Sequence, residues 1–315
     1  MKKILFACLL FPMLGNTQIK WTNVDSLFQP LPPTVHVFYT NDSLDGKPNI
    51  AYYVSAKLRD LDLNFSVDTS LNRRLTPTQY FERNKQPLVV VNCTFFEFKY
   101  SRNLNTIIKN GKLLAYNIHS MPNRGKDTFT YRHSFGSAIG IDKKRNADVA
   151  WLFTDSSLKK PLAFQNVVNN YKDSFNYISK KTLNELSMAK KWKMQTAVGG
   201  GPVLLQNGNI EITNNQEIKF SGKTGLTDKH PRTCMGYTKD GDIIIMAIQG
   251  RMKGIAEGAT LEQQAKLLQQ IGCWEALNLD GGGSSCLLVN GKETIQPSDK
   301  EGQRLVPGVF IISKK

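Results

Sequence analysis

Short apolar runs separated by turn residues dominate the chain. Val35 to Tyr39, Ile50 to Leu58 and Leu63 to Val67 are strand-length and rich in β-branched and aromatic residues, which predicts strands. Leu88-Val89-Val90-Val91 is continuously apolar, the pattern of a strand buried on both faces. Phe135 to Ile141, Val149 to Phe153, Val203 to Gln206, Cys234 to Thr238, Ile243 to Ile248 and Cys286 to Val289 extend the series. Asn207-Gly208, Asp240-Gly241 and Asn290-Gly291 border these runs, and such pairs turn hairpins because both residues tolerate positive φ. Two helices carry start signals. Thr76-Pro77-Thr78-Gln79 combines an N-cap, a first-turn proline and a capping-box glutamine, predicting a helix to about Asn84. Thr260 with Gln263 opens a second, whose apolar face holds Leu261, Ala265 and Leu268 and which Gly272 closes. Tyr171 to Lys193 is polar with a weaker helical tendency.

The N-terminus differs from the rest. Met1-Lys2-Lys3 is cationic, Ile4 to Leu14 is apolar apart from Pro12, and Gly15-Asn16-Thr17 supplies small residues before Gln18, as in a secretory signal peptide. The apolar run is shorter than the roughly 20 residues a membrane-spanning helix needs, and no later run is longer. Residues 1–17 therefore read as a leader removed on export to the periplasm or cell exterior, with Cys8 discarded. Residues 18–49 read as an N-terminal extension or first strand, and residues 50–315 as one domain, because neither a linker nor an internal repeat divides them.

Composition narrows the function classes. The 315 residues are 40% hydrophobic, as in ordinary globular proteins, which excludes disordered and fibrous classes. Lys and Arg number 41 against 26 Asp and Glu, a net charge of +15. Such a surface attracts anionic partners. Nucleic acid is excluded as the partner, since no binding motif accompanies the charge, and no protein partner is indicated. Four cysteines follow the leader: Cys93, Cys234, Cys273 and Cys286. An even count in an oxidising compartment permits disulfides, with three pairings open. The four histidines, His36, His119, His133 and His230, are scattered, and neither they nor the cysteines have zinc-site spacing.

Four segments carry more glycine and polar residues than a core requires. Asn92-Cys93-Thr94-Phe95-Phe96-Glu97 stands where a buried strand emerges. Gly199-Gly200-Gly201-Pro202 allows close backbone approach, but lacks the Lys-Ser/Thr of a phosphate-binding P-loop. His230-Pro231-Arg232-Thr233 and Gln249-Gly250-Arg251 place two arginines at strand ends, and guanidinium forks match phosphate oxygens. Asn278-Leu279-Asp280-Gly281-Gly282-Gly283-Ser284-Ser285 sets an acid before three glycines and two serines. That run is entropically costly for a plain turn, which points to a ligand-facing loop.

In combination these segments resemble the phosphodiester glycosidase family. The resemblance rests on Asn92 to Phe96, Gly199 to Leu205 with Asn207-Gly208, Arg232 to Gly236, Gly250-Arg251, Glu257 to Leu261 and, most specifically, Ala276 to Ser285, in that order over about residues 50 to 315. It implies an α+β fold of mixed, largely antiparallel sheets with a few packed helices. It also implies cleavage of a sugar-1-phosphodiester on the sugar side, with Asn92, Phe96, Gly200, Arg232, Thr233, Arg251, Asp280, Gly282 and Ser284 around the site. The family usually has glycines at the positions of Cys93 and Thr94, and an acid at that of Gln249.

The expected catalytic set is Asp280 as base or nucleophile and Arg232 with Arg251 as a phosphate clamp, with Glu257 and Glu97 as reserve carboxylates. Gly201, His230, Gly281, Gly283 and Ser285 complete the expected substrate contacts. No obligatory cofactor or metal is expected, although a divalent cation could bind beside Asp280. The expected ligand is a glycosyl phosphodiester or an anionic glycan. The alternative is a catalytically silent exported module that holds anionic glycans through the same arginines; an assembly protein of exopolysaccharide production has no specific feature in its favour.

Overall fold

The protein is described by a computed structural model over residues 18–70, 73–178, 187–220 and 226–315. The leader and Cys8 lie outside the described residues. Three sheets form the body. The largest, eight-stranded, has at its centre the order Val35–Thr40, Ala51–Lys57, Asp242–Ile248, Arg232–Thr238, Cys273–Asn278 and Val203–Gln206. A seven-stranded sheet is built around Ala147–Phe153, Gly136–Asp142 and Met194–Gly199. A five-stranded sheet carries Leu287–Val289, Val89–Asn92, Gly308–Lys314 and Leu63–Thr69 as neighbours.

The two-residue side-chain period explains how these sheets share one core. In Asp242–Ile248, Ile243 and Ile245 face the central core, whereas Ile244 and Met246 face the opposite layer. Val91 likewise faces the core with Val54, Trp151, Val198 and Phe310, and Val90 faces outward onto Tyr80. Strands buried on both faces read as unbroken apolar runs for this reason. Helix Leu261–Ile271 covers the outer face of the largest sheet with Leu261, Ala265 and Leu268. Helix Pro77–Arg83 covers the five-stranded sheet with Tyr80. Both helices begin with a reciprocal capping box, Thr76 with Gln79 and Thr260 with Gln263, and Gly272 ends the second at φ 93°. Asn207-Gly208 and Asn290-Gly291 turn hairpins with both residues at positive φ.

The α+β expectation is overturned. Every strand pairing among the described residues is antiparallel, and the three helices with both ends described, Pro77–Arg83, Asn214–Glu217 and Leu261–Ile271, are short covers on a β-rich body. The physical reason is that nearly all the apolar surface lies in short, β-branched runs, which can bury both faces only between or within sheets. Tyr171 to Lys193 also departs from its helical tendency: its described parts include strands Tyr171–Asp173 and Lys190–Lys191, while residues 179–186 lie outside the described residues. The four cysteines are free and buried, so none of the three disulfide pairings is made.

Candidate active site

Antiparallel register gathers the motifs at one end of the largest sheet. Arg232 pairs with Ile248, which brings Gln249-Gly250-Arg251 alongside, and Cys234 pairs with Asn278, which brings the Asp280 loop to the same edge. Backbone bonds tie the loop down: the Leu279 amide donates to the Thr233 carbonyl at 2.8 Å, Asp280 to Cys93 at 2.8 Å and Gly282 to Pro231 at 2.8 Å. A cavity of about 210 Å³ results, lined by His230, Arg232 and Arg251 together with Asn278, Asp280, Gly281 and Gly282. Phe95 and Phe220 complete its walls.

The electrostatics of the cavity are unusual. Burial pushes the Asp280 carboxyl from 3.8 up to about 7, although the neighbouring Ser284 hydroxyl, Arg304 and the Gly281 amide pull it back. A carboxyl poised near neutrality can exchange a proton at physiological pH. Arg232 is buried and held by hydrogen bonds from its Nε to the Ala259 carbonyl at 2.9 Å and from an Nη to that of Asp228 at 3.2 Å. Burial lowers its guanidinium to about 10, so it remains a cation at neutral pH. Arg251 is exposed, in left-handed backbone conformation at φ 63°, and its guanidinium lies over Gly282. The cavity thus sets a protonatable carboxyl among two fixed positive charges.

The glycines of the loop answer to close neighbours. A Cβ at Gly283 would collide with Arg304 and Asp299, whose paired side chains meet at 2.8 and 3.0 Å behind the loop. Gly282 has φ 62°, and Gly282 to Ser284 form a single helical turn that aims the chain back to Leu287–Val289. Gly200 packs where a side chain would strike the Asn278 carbonyl, and Gly201, at φ 115°, donates its amide to that same carbonyl at 2.7 Å. Neither Gly200 nor Gly201 lines the cavity; they let two strands approach beneath it.

Asn92 and Thr233 also support rather than line the cavity. Asn92 is fully buried: its amide nitrogen donates to the Asp280 carbonyl at 2.6 Å, and its oxygen accepts from the Thr233 hydroxyl at 2.9 Å and the Cys286 amide at 3.1 Å. Thr233 bonds in addition to Ser285 at 3.2 Å. Replacing Asn92 with Leu strands the Asp280 carbonyl and the Cys286 amide at about 1–3 kcal/mol each before relaxation, while the Thr233 hydroxyl keeps Ser285. Urea unfolding of Asn92→Leu is therefore expected to show a loss of about 3 kcal/mol, and an unchanged midpoint would remove Asn92 from this supporting role.

Three expected residues lie elsewhere. Phe96 is buried with Tyr80, Val90 and Cys286 on the far side of the strand, while its neighbour Phe95 faces the cavity. Glu97 pairs with Arg102 at 3.5 Å and accepts from the Lys99 amide at 3.0 Å. Glu257 is not part of the cavity wall; its charge acts on Lys229. Gln249 is buried away from the cavity, its oxygen accepting from the Gln296 amide at 2.9 Å. Cys93 and Thr94 are buried too, so the bulk of these side chains is taken up inside the fold.

The sequence reading missed Phe220 and Arg304, neither of which stands near a motif, and Asn278, which does. Asn278 is 1% exposed; its nitrogen donates to the Gly201 and Leu279 carbonyls, while its Oδ1 has no hydrogen-bond partner. Its position just before Leu279-Asp280 was the available signal. Among the described residues, no group of three or more His, Cys, Asp or Glu side chains converges to hold a metal ion.

Comparison with known proteins adds a family. The phosphodiester glycosidase family profile matches residues 85–313. The N-acetylglucosamine-1-phosphodiester alpha-N-acetylglucosaminidase of Mus musculus is 34% identical over 103 residues, covering 30% of this chain and 20% of that protein. The match thus spans about a fifth of the length of that relative. Among solved structures, the zebrafish N-acetylglucosamine-1-phosphodiester alpha-N-acetylglucosaminidase catalytic domain, auto-inhibited by its pro-peptide, superposes with a TM-score of 0.61 at 21% identity, covering 91% of this chain and 86% of that one. A putative exported protein of Burkholderia pseudomallei gives 0.56 at 15% identity, covering 87% and 75%. These structural likenesses concern the fold. With the profile spanning most of its length and the motif-bearing strand ends gathered around one cavity, the chain belongs to the phosphodiester glycosidase family.

Proposed function

We propose that this protein hydrolyses a sugar-1-phosphodiester at the anomeric C–O bond, releasing the sugar and a phosphomonoester. The observation that carries the reading is the cavity itself, where a carboxyl with a pKa of about 7 shares a small space with Arg232 and Arg251. The two guanidiniums hold the phosphate oxygens. Asp280 in its ionised form takes a proton from water as that water bonds to the anomeric carbon, or itself attacks that carbon to form a glycosyl ester, which water then hydrolyses to free sugar and the carboxyl group. The C–O bond breaks with its electron pair passing to the phosphate oxygen. No strong acid is needed on that side, because a phosphomonoester has a second pKa of about 6 and leaves as a stable anion. Amides of the Gly281 to Ser284 loop support the developing charge.

Export rests on the cationic and apolar start of the chain, and the substrate class that fits an exported basic protein is an envelope or host glycan. No helix among the described residues is long and apolar enough to cross a membrane. Phosphorus and proton NMR of the protein with a panel of α-sugar-1-phosphodiesters tests the proposal. Free sugar and a phosphomonoester are expected in equal amounts. Binding without turnover across the panel would replace hydrolysis by the silent glycan-holding alternative.

A further inference from the structure

A second cavity of about 280 Å³ adjoins the first, and Phe95 and Phe220 are walls of both. Its character is different. Leu104, Ile118, Met121 and Ile218 add apolar surface, and Ile118 is 48% exposed, a large aliphatic side chain left uncovered beside the polar site. The polar side chains around it are already committed. Both carboxylate oxygens of Glu217 are occupied, by Ser137, Trp151, Val203 and Thr213 at 2.7–3.2 Å. The Asn105 side chain accepts from the Phe95 amide through its oxygen and donates to the Gly200 carbonyl through its nitrogen, and the Ser134 hydroxyl donates to the Glu217 carbonyl.

Lys219 is the exception. It lines this second cavity, its Nζ lies 5.6 Å from the Phe95 ring centre, and it donates no side-chain hydrogen bond among the described residues, while burial lowers its pKa and the nearby Glu217 charge raises it. The preceding Ile218 is held at φ 53°, a conformation rare for a β-branched residue, where the chain turns out of the short helix Asn214–Glu217 into the cavity wall.

A sugar ring in this space would leave its hydroxyls unmatched, whereas an apolar group would bury surface against side chains that are now wet. We propose that the second cavity is the subsite for the group beyond the phosphate and that this group is an apolar alkyl or prenyl chain. Lys219 meets a phosphate oxygen at the junction of the two cavities. The substrate class is then a glycosyl phosphodiester of an aliphatic alcohol. The assignment rests on the phosphodiester reading of the first cavity, and its test can be read apart from turnover.

Calorimetric titration of the full chain with methyl phosphate and n-hexyl phosphate is the experiment, alongside hydrolysis of the matching methyl and hexyl α-glucosyl phosphodiesters. Each buried methylene is worth about fourfold in affinity, so hexyl phosphate is expected to bind at least tenfold tighter than methyl phosphate. Ile118→Ser and Met121→Ser, which touch only the second cavity, should erase most of that preference and leave methyl phosphate binding unchanged. Lys219→Met should weaken both phosphates. Equal affinities for the two phosphates, or tighter binding of glucose 6-phosphate than of hexyl phosphate, would overturn the apolar subsite. Hexyl preference without hydrolysis of these diesters or of any other α-sugar-1-phosphodiester in the panel would uphold the subsite and overturn the hydrolytic reading alone.

Discussion

Asp280→Asn is expected to lower kcat on a competent diester by about 10² to 10⁴-fold, the range for a proton-transfer group, while the folded protein becomes more stable above neutral pH. The two effects share one cause. Burial raises the carboxyl from 3.8 to about 7, so the folded state holds this proton more tightly than the unfolded chain does. The associated stability is fully present below about 4 and is lost as pH rises through about 7, where the folded protein must carry a buried negative charge. Asparagine carries none. Melting temperatures of wild type and variant should therefore coincide near pH 4 and diverge by several degrees at pH 8, with the variant higher. Wild-type kcat/KM should in turn rise with pH through about 7, as the carboxylate forms. A variant with full turnover and an unaltered melting curve would dismiss Asp280 as the reacting group. A profile that falls through the same pH would make it the proton donor instead.

Arg251→Ala is expected to cost about 10²–10³ in kcat/KM, the loss seen when one preorganised charge is taken from a developing anion. Its melting temperature should stay within a degree or two of wild type, because Arg251 is exposed and an isolated surface side chain contributes little to folding. Arg251→Lys should recover only part of the loss, since an ammonium supplies the charge without the planar fork. Arg232 differs. It is buried and anchored to two carbonyls, so Arg232→Ala would unfold part of the site and lose activity for mixed reasons. Steady-state kinetics on Arg251→Ala with a neutral glycoside as control settle its role. Equal losses on the phosphodiester and the neutral substrate would show that it does not act on phosphate.

Several features were legible because they depend on neighbours in sequence. The capping boxes at Thr76 and Thr260, the Asn-Gly hairpins and the strand-length apolar run Ile243 to Ile248 each follow from local backbone chemistry. The glycine loop after Asp280 was legible for the same reason: three consecutive residues without Cβ signal close approach, and Gly283 does pack against Arg304 and Asp299. Fold class was not. The resemblance suggested helices packed on mixed sheets, whereas the short apolar runs assemble into antiparallel sheets lidded by small helices.

The sequence by itself determined the main strands, the Asn-Gly turns and the two capped helix starts, though not the strands within Tyr171 to Lys193, and which segments carry costly glycines, arginines and acids. Tertiary structure decided which of those side chains meet. Phe95 rather than Phe96 faces the cavity because successive strand residues point to opposite faces, and only the position of the sheet selects one. Glu97 and Glu257 stand near motifs yet outside the cavity, and Asn92 proved a brace for the Asp280 carbonyl across 188 positions of sequence. Arg304, Phe220 and Lys219 had no local signal at all. Their roles come from long-range register and from desolvation, and both depend on the surfaces that distant strands bring together.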